Sequence, residues 1–80
     1  MYYVYILESL KDGNYYIGTT QNIEKRVHEH NKGWSKSTAP RRPFKLIYQE
    51  TFDDIKSAYS REKFLKSRKS KKLIQKIVGL

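Results

Sequence analysis

Eighty residues with 17 bases, 8 acids and no cysteine carry a formal charge of +9, enough chain for one domain with a small core. The missing cysteines exclude a disulfide-stapled mini-protein and a thiolate metal site. With 38% hydrophobic and 14% aromatic residues the chain is not disordered; no apolar run approaches a membrane span and no signal-peptide core follows the start, so a cytoplasmic protein is expected.

Tyr2-Tyr3-Val4-Tyr5-Ile6-Leu7-Glu8 is aromatic and β-branched, which predicts a buried strand. Asp12-Gly13 is a turn signal, and Tyr15 to Thr20 reads as a second strand. Such a hairpin is antiparallel. A turn centred between Asp12 and Gly13 puts Tyr5 and Tyr16 on one face, and a one-residue slip would separate them. Gly18, on the face of Tyr16, leaves space for a ligand or another backbone.

Asn22 is a good N-cap, a periodic stretch runs from Ile23 to Asn31, and Gly33 ends it. At about 100° per residue, Ile23, Arg26, Val27 and His30 share one face. Ile23 and Val27 should meet the sheet, so Arg26 and His30 are drawn inward, where they need a partner or a cleft. His28 falls on the outer side. Residues 33–43 form a loop, with Trp34 expected to cover a core edge ahead of stacking on a nucleic-acid base.

Phe44 to Thr51 alternates and predicts a third strand. Asp53 can cap a second helix running to about Lys66, with Ile55, Ala58, Tyr59 and Leu65 as its apolar stripe. Glu62 lies within that stripe. An outward Glu62–Lys66 pair is the bland alternative, and the periodicity argues against it. Ser70 can cap a third helix, Lys71 to Val78, with Gly79 as its stop; Leu73, Ile74, Ile77 and Val78 suffice to dock it on its own sheet. The order ββαβαα predicts an α+β fold, a small three-stranded antiparallel sheet with helices packed on it.

The charge is not spread evenly. Residues 1–55 hold eight bases and seven acids, whereas residues 56–80 hold nine bases and one acid, Glu62. That excess points to a polyanion, so nucleic acid is the expected partner. A carboxylate turned inward wants a cation, either Arg or a divalent metal. Mg²⁺ often takes one or two protein carboxylates and fills its shell with water and phosphate oxygens, so one inward Glu is enough.

Tyr3-Val4-Tyr5 followed by Tyr16-Ile17-Gly18 resembles the two name-giving motifs of the GIY-YIG nuclease superfamily. The second motif is complete; the first keeps only its tyrosine, Tyr5. The helix with Arg26 and His30 and then Glu62 follow in the family's order, so the resemblance covers nearly the whole chain. It is similar to the short, stand-alone bacterial members, many described only as uncharacterised, in which Arg41-Arg42-Pro43 and the basic last helix recur. One domain over 1–80 is implied, with a catalytic-type core to about residue 68 and a basic helix over about 70–78.

The resemblance implies a divalent-metal-dependent endonuclease with little sequence specificity, serving DNA repair or metabolism as a monomer off the membrane. Glu62 matches the ligand of a single Mg²⁺ or Mn²⁺. Arg26 matches the residue that steadies the scissile phosphate, and Tyr5 and Tyr16 match the pair that orients or deprotonates the attacking water. His30 matches a position that assists proton transfer. A tyrosine acts as a base only if nearby cations depress its pKa, a role open to Arg26, the metal and the basic surround. Lys36, Arg41 and Arg42 of the loop, and Arg61, Lys63, Lys66, Arg68, Lys69, Lys71 and Lys72 of the last two helices, are the candidate nucleic-acid ligands, with DNA ahead of RNA. No Asn follows Glu62, and Thr19 stands where some members place Lys. A non-catalytic nucleic-acid-binding module with the same fold is the alternative.

Overall fold

A computed structural model describes residues 1–34, 36, 38–67 and 71–79, without the side chain of Lys71. The elements are β1 (Tyr2–Ser9), β2 (Tyr15–Thr20), α1 (Ile23–Lys32), a 3-10 turn (Ala39–Arg41), β3 (Phe44–Phe52), α2 (Ile55–Ser67) and α3 (Lys71–Val78). The sheet is antiparallel in the order β2-β1-β3, so the fold is α+β with the expected ββαβαα order. No helix among the described residues is long and apolar enough to cross a membrane.

The hairpin register differs from the expected one by two residues. Tyr5 pairs with Gly18 and Leu7 with Tyr16, which centres the turn between Lys11 and Asp12. Ser9 causes the shift by anchoring a wider loop: its hydroxyl accepts the Lys11 and Asp12 N–H groups and donates to the Arg41 carbonyl. Side chains alternate with a period of two, so a two-residue shift leaves every residue on its face. Tyr5 and Tyr16 therefore still lie together.

Alternation along β1 divides the core into two. Val4 and Ile6 pack with Ile17, Ala58, Leu65 and Ile74 beneath α2 and α3. Tyr5 and Leu7 pack with Phe44, Tyr16, Ile23, Val27 and Leu46 beneath α1. The expected alternation of β3 breaks once. Ile6 pairs with Tyr48 and Leu7 with Leu46, leaving Ile47 as the extra residue of a bulge. Both Ile47 and Tyr48 then meet the α2 side, while Phe44 and Leu46 keep to the α1 side.

The helix ends follow their caps. The Asn22 side chain accepts the Lys25 N–H, and Gly33 closes α1 in the left-handed conformation at φ 78°, where a Cβ would be strained. Asn31 then latches α1 to β3 by two amide bonds to the Phe44 backbone. Asp54, not the expected Asp53, caps α2: its carboxylate accepts the Ser57 N–H at 2.8 Å. The expected Ser70 cap lies outside the described residues. Gly79 ends α3 by donating to the Gln75 and Lys76 carbonyls.

The expected stripe of α2 is only half right. Ala58 and Leu65 are fully buried, but Ile55 and Tyr59 are 40% and 55% exposed. The helix is rolled so that Arg61 joins the inner side, where it forks onto both oxygens of Glu50 at 2.8 and 3.0 Å. Tyr48 donates to the same carboxylate. This clasp ties α2 to β3 and turns Tyr59 to solvent.

Candidate active site

His30 is the pivot of the α1 face. It is completely buried, and its ring is surrounded by Tyr5, Tyr16 and Phe44, with Tyr16 edge-on at 4.7 Å. Its Nε2 meets the Tyr5 hydroxyl at 3.1 Å, and its Nδ1 meets the Thr38 hydroxyl at 3.0 Å. A neutral imidazole has one donor and one acceptor nitrogen. Whichever nitrogen carries the proton, Tyr5, His30 and Thr38 form one directed hydrogen-bond chain. Burial and the nearby Arg26 cation hold the His30 pKa below its ordinary value, so the imidazole is neutral at pH 7.

Tyr5 stands at one end of that chain. Burial pushes its pKa up to about 12, against a hydrogen bond from Arg26 that pulls it down. With Arg26 as its cation and no metal beside it, Tyr5 keeps its proton at neutral pH. The space left by Gly18 is also already filled. A Cβ there would lie 2.5 Å from the Tyr5 hydroxyl oxygen, so the Tyr5 ring crosses the edge strand at the one residue without a side chain.

Arg26 reaches the same place from α1. Its Nη1 donates to Glu29 at 3.0 Å, and the side chain is 36% exposed. It borders an open depression with Thr20, Gln21, Asn22, Lys25 and Glu29. The guanidinium has five donors, so Glu29 leaves several able to meet a phosphate from solvent.

Glu62 arrives from the opposite face. Thr19 follows Gly18 and so points to the α2 side, where its hydroxyl donates to Glu62 Oε1 at 2.5 Å. Glu62 Oε2 pairs with Lys66 at 2.8 Å. The Glu62–Lys66 pair that the periodicity argued against is thus formed, although the carboxylate is also turned inward, 20% exposed against 53% for Lys66. Both statements hold because Glu62 sits at the rim of the inner stripe. The carboxylate is close enough to the Tyr5 hydroxyl to raise its pKa further. Tyr5, Tyr16, Arg26 and His30 on one face, and Glu62 at the adjoining β2 edge, thus form one neighbourhood.

The expected nucleic-acid ligands divide. Arg61 is held by Glu50. Arg41 pairs with Asp12 and donates to the Tyr15 carbonyl, and Arg42 donates to the Ala39 carbonyl. Lys36, Lys63, Lys66 and Lys72 are exposed. Arg68, Lys69 and the Lys71 side chain lie outside the described residues. Trp34 does not cover a core edge: it is 69% exposed and touches the outer-face His28 edge-on. Two residues were missed in the sequence. Thr19 was legible as the strand residue alternating away from Tyr16 and Gly18; Thr38, in an irregular loop, gave no periodic signal.

The ββαβαα order and the antiparallel sheet β2-β1-β3 define a small α+β domain. The description "GIY-YIG catalytic domain" matches residues 1–76, and the chain belongs to the GIY-YIG family. It is 48% identical over 67 residues to a UPF0213 protein of Clostridium perfringens, covering 82% of this chain and 71% of that one. It is 42% identical over 77 residues to a UPF0213 protein of Staphylococcus saprophyticus, covering 95% and 93% of the two chains. Its fold is similar to the solution NMR structure of a UPF0213 protein from Bacillus halodurans, with a TM-score of 0.61, 34% identity, and 99% and 84% of the chains covered.

Proposed function

We propose that the chain is a divalent-metal-dependent endonuclease that hydrolyses phosphodiester bonds in DNA with little sequence specificity, in DNA repair or metabolism. The carrying observation is the meeting of Arg26 and the Tyr5–His30–Thr38 chain with Glu62 at the β2 edge. Glu62 fits the ligand of one Mg²⁺ or Mn²⁺. It is a hard oxygen donor held in place by Thr19, and the exposed Lys66 on its other oxygen can swing into solvent. Such an ion, when bound, supplies Lewis acidity to the phosphate and its leaving oxygen.

The other steps belong to the chain's own groups. Arg26 binds two phosphate oxygens and stabilises the charge that grows on them. Tyr5, which keeps its proton, orients by hydrogen bonding. Neutral His30 is the group able to accept a proton at neutral pH, passed through the Tyr5 hydroxyl, which takes up the water's proton as it gives its own to the imidazole. Supercoiled plasmid incubated with Mg²⁺ or Mn²⁺ tests this. Wild type nicks it, while Glu62→Ala or EDTA lowers the rate by at least about a hundredfold, the scale of one lost electrostatic stabiliser. Equal nicking by both proteins would refute the proposal. The engagement of both Glu62 oxygens within the protein favours the second reading, a nucleic-acid-binding module without catalysis. Under it, neither protein nicks and both bind DNA with steep salt dependence.

A further inference from the structure

The outer side of α2 carries a feature that neither packing nor the proposed chemistry uses. Ile55 and Tyr59 are exposed, and the Tyr59 ring and hydroxyl have no partner among the described residues. Phe64, also exposed, is accounted for by the Arg61 guanidinium stacked on it at 5.2 Å. At about 100° per residue, Ile55, Tyr59 and Lys66 lie within roughly 40° of one another, with Lys63 about 40° beyond Tyr59. Lys56 and Lys63 are exposed, and Glu62 is the only acid in the helix. An apolar, aromatic seat framed by lysines suits a polyanion with flat apolar faces. It suits an apolar protein surface poorly, because docking would bury the lysines.

Distance links this seat to Glu62. Tyr59 and Glu62 are i,i+3 neighbours with Cβ atoms about 5–6 Å apart. Stacked nucleotides repeat every ~3.4 Å along a strand. A phosphate beside Glu62 therefore brings an adjacent base over the Tyr59 ring. Only an unpaired base has a face free for stacking; in an intact duplex the faces are covered. We infer that Tyr59 is a stacking platform for an unpaired base next to the scissile phosphate, so the preferred substrate is single-stranded DNA or a strand with unpaired nucleotides at the cut. This rests on the nuclease reading for where the phosphate lies, but the stacking itself needs no metal.

The test is fluorescence anisotropy in EDTA, with a labelled oligothymidine alone and annealed to oligodeoxyadenosine. Wild type binds the single strand more tightly than the duplex. Tyr59→Ala weakens single-strand binding by about five- to a hundredfold, the range of one lost aromatic stack, and changes duplex binding less than about twofold. Tyr59→Phe keeps the preference, and circular dichroism shows all three folded. Unchanged single-strand binding by Tyr59→Ala, or a wild-type preference for duplex, overturns the inference. So does a wild-type dimer in sedimentation that Tyr59→Ala dissociates, which would give the face to a second copy. Loss of nicking alone, with the stacking preference intact, would count against the nuclease reading and leave this one standing.

Discussion

A buried histidine that stays neutral makes the stability of the fold depend on pH in a definite direction. In the unfolded chain His30 titrates near its ordinary 6.5, whereas burial and Arg26 lower its pKa in the folded protein. Between those two values the unfolded state binds more protons, so stability falls as pH falls. The contribution is complete above about pH 6.5 and is lost as pH drops toward the lowered folded value. We expect thermal unfolding by circular dichroism to show a falling Tm between roughly pH 7 and pH 5. His30→Gln loses its bonds to Tyr5 and Thr38 in part and lowers Tm overall, but it flattens this acid limb. His28→Gln, on the exposed side of α1, leaves the limb unchanged. A limb that survives His30→Gln would assign the acid sensitivity to the carboxylates.

At the scale of elements, the sequence was informative wherever period and cap acted locally. Asn22 and Gly33 bounded α1, and its 3.6-residue period placed Ile23, Arg26, Val27 and His30 on the inner face. The hairpin face survived an error in register because the error was an even number of residues. What was not legible depended on contacts far apart in sequence. The roll of α2 is set by Arg61 gripping Glu50 across 11 residues, and an apolar count of its stripe could not see that ion pair. The same clasp decides how Arg61 behaves. It is bidentate, with side chains 31% and 21% exposed, and such forks hold better than ordinary surface pairs. Arg61→Ala is therefore expected to lower Tm while leaving the salt slope of DNA binding unchanged. Lys63→Ala, exposed two residues further along α2, should leave Tm unchanged and make log K against log salt shallower by about 0.9, one phosphate contact. A changed slope in Arg61→Ala with no change in Tm would show that the arginine serves the nucleic acid instead.

At the scale of the whole molecule, the question is whether the basic C-terminal third is an arm or part of the body. Its charge alone suggests an arm: residues 56–80 hold nine bases and one acid. The packing says otherwise. Ile74 is 3% exposed and joins Val4, Ile6 and Leu65 in the core, with Ile77 and Val78 packed against it. Losing one such side chain costs about 2–5 kcal/mol. A domain of this size has roughly 4–12 kcal/mol of stability in all. Removing α3 therefore removes a large share of what keeps the chain folded, along with its charge. A chain ending at Ser67 should melt far below wild type or fail to fold. Lys72→Gln with Lys76→Gln, on exposed positions of the same helix, should keep the Tm and weaken DNA binding, with the salt slope falling by at most about two contacts. Urea unfolding and binding at several salt concentrations, run side by side, separate the two effects. A truncated chain that folds like wild type and merely binds DNA less tightly would show that α3 is an appended arm. The expected result instead makes it the piece that closes the core beneath α2, and so keeps Glu62 beside the strand that carries Tyr16 and Gly18.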